Sequence, residues 1–206
     1  FGVTLMLWIV IQFIIFPLNF MSTVFFVFGV LQAATGYAAL VFLKQEEFKV
    51  NAAEYPAVGT DKKALVVYFS RMGYVKKQAY EAANRTGAVI CEIKAAERTE
   101  GTLGFWWCGR CGMHRWAMPI QTPDADPAEF EHVTIVTPVW VFAIAAPVRE
   151  FCRRFARRIR KVDYIVVHHM NARFDSAAEE MDTLLKTKHT AFVSIRCRTG
   201  KFKIIP

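Results

Sequence analysis

No lysine, arginine, aspartate, glutamate or histidine occurs between Phe1 and Leu43. A helix needs roughly 20 apolar residues to cross a hydrocarbon core, and this run is about twice as long. Pro17-Leu18-Asn19-Phe20 interrupts it where a turn would be useful. The segment 1–43 therefore reads as a helical hairpin, with one span ending near Phe16 and a second over about 20–43. The chain begins at Phe1 rather than Met, which leaves the first span open to truncation at its start. A cleaved signal peptide fits poorly, because the run has no basic start and is far too long. Gly29, Ala33 and Gly36 fall near one face of the second helix, where small residues let another span approach closely. Without ionisable residues the segment is an anchor rather than a site inside the bilayer.

Lys44, Lys49, Lys62 and Lys63 follow the hairpin, whereas its tight turn is uncharged. Basic residues collect on the cytoplasmic side of membranes. The expectation is a multi-pass protein of the cell membrane with its C-terminal part in the cytoplasm. The polar segment 44–61, with Pro56 and Gly59, reads as a linker. What remains, 62–206, is long enough for one domain with a full core. An odd number of cysteines, five, argues against a disulfide framework and for a reducing compartment.

Within that domain, 64–69 is a short β-favouring apolar run, followed by Ser70, a turn through Gly73 and a helical pattern from Lys76. Strand, small-residue turn, helix is an arrangement that presents backbone N–H groups and a helix dipole to an anion such as phosphate. Further strands are expected at 88–94, 132–137, 162–168 and 190–196. Helices are expected at 148–161 and 176–186, and the stretch 95–131 does not read as one clean helix. Strands alternating with helices specify a parallel sheet covered on both faces. Ligands of such sheets sit at the carboxyl ends of the strands, where strand order reverses. The loops after Phe69, Thr137 and His168 should therefore surround one site.

Two motifs carry a resemblance. Val67-Tyr-Phe-Ser-Arg-Met-Gly73 is similar to the strand and FMN phosphate loop of the flavodoxin-like flavoproteins. Thr137-Pro-Val-Trp140 with Ala146-Pro-Val-Arg-Glu-Phe151 resembles that family's flavin-side loop and following helix. The resemblance covers most of 63–196 and none of the hairpin. It implies a five-stranded parallel sheet in a three-layer α/β sandwich, bound FMN, and one- or two-electron chemistry. It also implies a phosphate loop of Ser70, Arg71, Met72, Gly73, Tyr74 and Val75, with Lys76 or Lys77 adding charge. Pro138, Val139, Trp140, Val141 and Phe142 then form the second loop, in which Trp140 would stack on the isoalloxazine. His168, His169, Met170 and Asn171 begin the third, facing the flavin's N1–C2=O edge. The family's phosphate loop usually ends in a hydroxyl residue and carries another in its middle; Val75 and Met72 stand there instead. The alternative is thus a flavin-free module of the same fold that docks a partner at the membrane.

Cys108-Gly-Arg-Cys111 with His114 lies in an aromatic insert containing Phe105, Trp106, Trp107 and Trp116. The residues permit a dithiol activated by Arg110 and Arg115, a three-ligand metal site one ligand short of structural zinc, or two unpaired thiols in a turn. The last is the plainest. The aromatics would make the insert a lid over the flavin or a pad against the bilayer. Arg149, Arg153, Arg154, Arg157, Arg158, Arg160 and Lys161 supply much of the net charge of +8. They read as a solvated helix face or one lying near lipid headgroups. No aromatics interleave with them, which counts against nucleic-acid binding. No acid–base pair or nucleophile–histidine arrangement stands out, which counts against a hydrolase. The expected partners are the lipid bilayer and a redox partner protein or quinone.

Overall fold

The computed structural model describes residues 20–46, 49–198 and 200–206. The chain forms two compact units, Phe1–Leu43 and Lys44–Pro206. The described part of the first is one helix, α1 (Phe20–Glu46), which coincides with the second expected span. Among the described residues, no helix is long and apolar enough to cross a membrane. Gln32, Thr35 and Gly36 interrupt the apolar run of α1 near its middle. The first expected span lies outside the described residues. Among the described residues the chain thus carries one helix, α1, before the α/β unit, and no membrane-crossing helix is found there.

The α/β unit is built on seven strands: β1 (Asp61–Tyr68), β2 (Ala88–Glu92), β3 (His132–Trp140), β4 (Ala143–Ile144), β5 (Val162–His168), β6 (Ala191–Arg198) and β7 (Lys201–Ile205). The spatial order is β2-β1-β3-β5-β6-β7, with β4 folded back on β3. The first five of these strands are parallel neighbours. The expected five-stranded sheet is present as this parallel core, and two antiparallel additions correct the count. Gly200, at φ +77°, turns the chain so that β7 pairs with β6. The apolar loop expected after Thr137 instead extends β3 to Trp140 and returns as β4.

Four helices flank the sheet: α2 (Tyr74–Thr86), α3 (Gly101–Met113), α4 (Ala146–Arg154) and α5 (Asp175–Leu185). Leu65, Val67, Val133, Ile135, Tyr164 and Val166 fill one side of the sheet against α4 and α5; Val66, Tyr68, Val136 and Val167 fill the other against α2. Each fully buried apolar side chain contributes about 1.5–3 kcal/mol. Alternate residues of each central strand thus enter opposite cores, which is why these strands read as unbroken apolar runs. The segment before β1 is fastened rather than loose. Tyr55 meets the Tyr80 ring at 5.4 Å, Ala57 N–H donates to Asn84 Oδ1 at 2.9 Å, and Gly59 N–H to Ala88 O at 2.9 Å.

Helix α4 is shorter than the expected 148–161. Arg157 adopts φ +63° and donates its N–H to Leu185 O at 2.8 Å. That turn lets Phe155 and Ile159 reach the core. Arg149 is also not on a solvated face. It is 1% exposed, with Nε donating to Glu180 Oε1 at 2.6 Å, Nη1 to Trp116 O at 2.7 Å and Nη2 to Ile144 O at 3.2 Å. This guanidinium joins α4, α5, β4 and the segment after α3. Removing one partner of such a buried pair leaves an uncompensated charge. Glu180→Ala is expected to lower unfolding free energy by about 3 kcal/mol in urea melts.

Candidate functional site

Because β1, β3 and β5 are parallel and adjacent, their carboxyl ends fall on one rim. Tyr68 is in register with Val136, and Pro138 with Val167. From β1 the chain crosses to β2 on one side, while β3 lies on the other, so the strand order reverses between β1 and β3. A crevice for ligands opens at such a point.

The first loop fills one wall. Gly73, at φ +81°, is the N-cap of α2 and supplies a backbone conformation that side-chain-bearing residues rarely adopt. No side chain caps this helix. The first-turn amides of a helix have no partner within it, so the positive end of α2 faces the rim. Beside it, Ser70 Oγ is buried without a hydrogen-bond partner. An orphaned buried hydroxyl costs about 1–3 kcal/mol unless something satisfies it. Side chains of the other expected phosphate-loop residues are occupied. Arg71 donates from Nε to Thr99 O at 2.6 Å and from Nη2 to Gly101 O at 3.0 Å, and its guanidinium lies 5.3 Å from the Phe105 ring centroid. Met72 and Val75 pack into the core on the α2 side. Lys77 pairs with Glu81 at 3.3 Å, and Lys76 lies over the Tyr80 ring at 6.0 Å. Both lysines thus have partners on α2, and Lys77 also lies over the Phe202 ring of β7 at 5.8 Å.

The second loop is a two-residue hairpin between β3 and β4. Val141 (φ +48°) and Phe142 (φ +61°) both occupy the left-handed region that such a turn requires and that a β-branched residue resists. Both side chains are exposed. Pro138 and Val139 remain in β3. Trp140 is half-buried and meets Phe69 edge to face at 5.4 Å, which joins the second loop to the first. Helix α3 supports it from behind. A Cβ on Gly112 would stand 2.8 Å from Trp140 O, so only glycine allows this approach.

In the third loop, His168 is buried, and its Nε2 lies 2.7 Å from Ser194 Oγ. Burial pushes its pKa below the ordinary histidine value, which keeps the ring neutral. His169 Nδ1 meets Cys197 O at 2.6 Å, its ring lies 6.5 Å from Tyr74, and its carbonyl accepts from Arg198 Nε at 3.1 Å. Asn171 Oδ1 accepts from Arg196 Nη1. Met170 is exposed. The third loop therefore meets the first through Tyr74 and leans on two arginines of β6. Sequence reasoning missed Arg196, Arg198 and Gly112. The alternation of β6 could have indicated the first two; a glycine whose neighbour is distant in the chain leaves no local signal.

Within the stretch 95–131 the two cysteines lie in the helix α3 rather than in the expected turn, and they are not an activated dithiol. Cys108 and Cys111 are buried one turn apart. Burial pushes the Cys108 thiol up to about 12 against the opposing pull of Arg71, and it raises Cys111 as well. His114 does not join them but stacks on Trp116 at 4.6 Å. At pH 8 a pKa near 12 leaves roughly one Cys108 in ten thousand as thiolate. Iodoacetamide should therefore label neither cysteine in the folded protein and both after denaturation.

Two of the glycines of α3, Gly109 and Gly112, provide a paired test. Gly112→Ala drives a methyl into the Trp140 backbone and should cost about 1–3 kcal/mol, with a shift in tryptophan emission. Gly109 has open space around it, and Gly109→Ala should stabilise by about 1 kcal/mol. Thermal melts of the two variants decide.

No protein-family model matches the sequence, and no curated protein matches it. Solved structures do. A flavoprotein from Lactobacillus acidophilus crystallised with FMN is 16% identical, with a TM-score of 0.57 over 65% of this chain and 93% of that one. The apo-form of the Lactobacillus acidophilus flavoprotein gives 0.51 at 16% identity over 68% and 95%. A candidate flavoprotein from Bacteroides eggerthii gives 0.53 at 14% identity over 65% and 88%. At these identities the likeness shows the fold alone, over about two thirds of this chain.

Proposed function

We propose that the α/β unit binds FMN at the rim between β1 and β3 and serves as an electron carrier or FMN-dependent reductase. The observation that carries this is the unpartnered Ser70 hydroxyl, buried beside the uncapped N-terminus of α2 at the point where strand order reverses. A phosphate there would accept from Ser70 Oγ and from the first-turn amides, and the left-handed Gly73 shapes that cradle. FMN supplies one- and two-electron redox chemistry when bound. The chain's own residues supply the setting. Trp140, braced by Phe69 and Gly112, offers a fixed apolar surface that excludes water from one side of the crevice. His168, neutral and held to Ser194, offers a dipole rather than a charge. Arg196 and Arg198, gathered on the third loop, bias it toward negative charge on a ligand.

The charge-free run Phe1–Leu43 supports, as part of the same reading, an anchor in the cell membrane with the α/β unit on the cytoplasmic side. Phe25, Phe28 and Leu31 are each more than half exposed on α1, as side chains facing lipid would be. Electrons would then pass to or from a membrane redox partner protein or a quinone. A second reading rests on a specific observation: Met72 and Val75 give their side chains to the core, so Ser70 carries the one aliphatic hydroxyl of the 70–75 loop. On that reading the same rim docks a partner without flavin.

Absorbance of the purified full chain and titration with FMN separate the two. Flavin bands, or quenching of added FMN fluorescence, are the expected result; a colourless protein that ignores FMN would end the flavin reading. Ser70→Ala should weaken FMN binding about 10- to 100-fold, the loss of one hydrogen bond to a charged group. Gly73→Asp, which adds a side chain and a negative charge at the cradle, should abolish it.

A further inference from the structure

Helix α3 is turned inside out. Its buried face is Gly104, Cys108, Cys111 and Gly112, while its outer face carries Leu103, Trp106, Trp107, Arg110 and Met113. Leu103 is 69%, Trp106 52%, and Met113 65% exposed. Ordinary amphipathic helices of a globular domain bury their large apolar residues and expose polar ones. The inner glycines explain how this helix avoids that. A Cβ on Gly104 would stand 2.3 Å from Thr99 C in the segment leading into the helix, and one on Gly112 2.8 Å from Trp140 O of β3, so at both ends the inner face leaves no room for large side chains. Trp116, also exposed, extends the patch, with the Arg110 guanidinium 5.6 Å from its ring.

We infer that this outer face of α3 is an interfacial pad that rests in the headgroup layer of an anionic bilayer. The charge fits: within 101–116 there is no acidic residue. Trp107 Nε1 donates to Glu97 at the margin of the patch and Arg115 pairs with Glu180 at 3.4 Å, so Arg110, over the Trp116 ring, is the cation the face itself carries. The residue types fit too, since indoles favour the boundary between headgroups and acyl chains, and arginines favour anionic lipid. The patch is a convex helix face, which a deformable lipid surface accommodates without a matching groove. The inference is independent of flavin binding. It draws on the membrane reading only for what brings the domain to the surface.

The test uses the full chain reconstituted in vesicles of phosphatidylcholine, with and without phosphatidylglycerol. The native cysteines described here are all buried, so Met113→Cys places a single reactive thiol on the pad for an environment-sensitive fluorophore. Thr183→Cys on the exposed side of α5 serves as a control. With phosphatidylglycerol present, the label at 113 should shift to the blue and become several-fold less accessible to iodide, while that at 183 should not change. Trp106→Asp with Trp107→Asp, both at exposed positions, should abolish the shift with the circular dichroism unchanged. Arg110→Ser should weaken it about fivefold. A label at 113 that stays as accessible in these vesicles as in detergent overturns the pad, and so does protection that needs a membrane protein extract or that grows with protein concentration without lipid. Vesicle flotation reads attachment of the whole chain separately. A chain that floats with position 113 exposed sinks the pad alone, and one that does not float sinks the anchor.

Discussion

The parallel pairing of β1 with β3 is the constraint on which the rest of this domain depends. It brings the residues after Tyr68 and those after Val136 to one rim, so that Phe69 and Trp140 touch although they are far apart in the chain. Because β2 lies on the far side of β1, α2 leaves the rim with its positive end toward the gap. Neither Ser70 nor Gly73 would have chemical meaning without that reversal. The same loop sequence in a chain whose strands ran in simple order would meet a neighbouring crossover rather than an open crevice.

A second dependence runs through α3. Its small inner residues let it stand against the Trp140 carbonyl, and Arg71 ties the first loop to the segment leading into it. Two walls of the crevice are thus referred to one helix. Arg149 holds the next layer, linking α4, α5, β4 and the chain after α3 through hydrogen bonds that no apolar side chain could replace together. The strained turn at Val141 and Phe142 persists because both of its neighbours are fixed.

Much of this was legible in the sequence. The buried strands announce themselves as apolar runs of β-favouring residues, and 162–168 was read to its ends. The placement of the three loops followed from the alternation of strands and helices. What could not be read had physical causes. The hairpin at Val141-Phe142 uses residues that avoid the left-handed region, so no turn signal marks it. Helix α3 is rich in glycine and buries its small side, so neither propensity nor periodicity reveals it. Arg149 looks like its basic neighbours along the chain, and only tertiary structure separates it from them. The lysines after Gly73 meet Glu81, Tyr80 and the Phe202 ring, partners that spacing along the helix permits but does not decide. The apolar run before the linker predicts a helix well, and α1 is one; the number of spans is a separate matter.

The antiparallel β7 has a consequence beyond the site. Without it, β6 would end the sheet with a full row of unpaired N–H and C=O groups, the template on which foreign strands add and aggregates grow. β7 takes up those groups and presents its own outer edge in their place, short and carrying Lys201 and Lys203, with Pro206 following, which has no N–H to offer. Lysines on a short edge repel a second copy approaching edge to edge. The hairpin that adds a strand to the expected fold is therefore also a guard on colloidal behaviour, placed at one margin of the sheet.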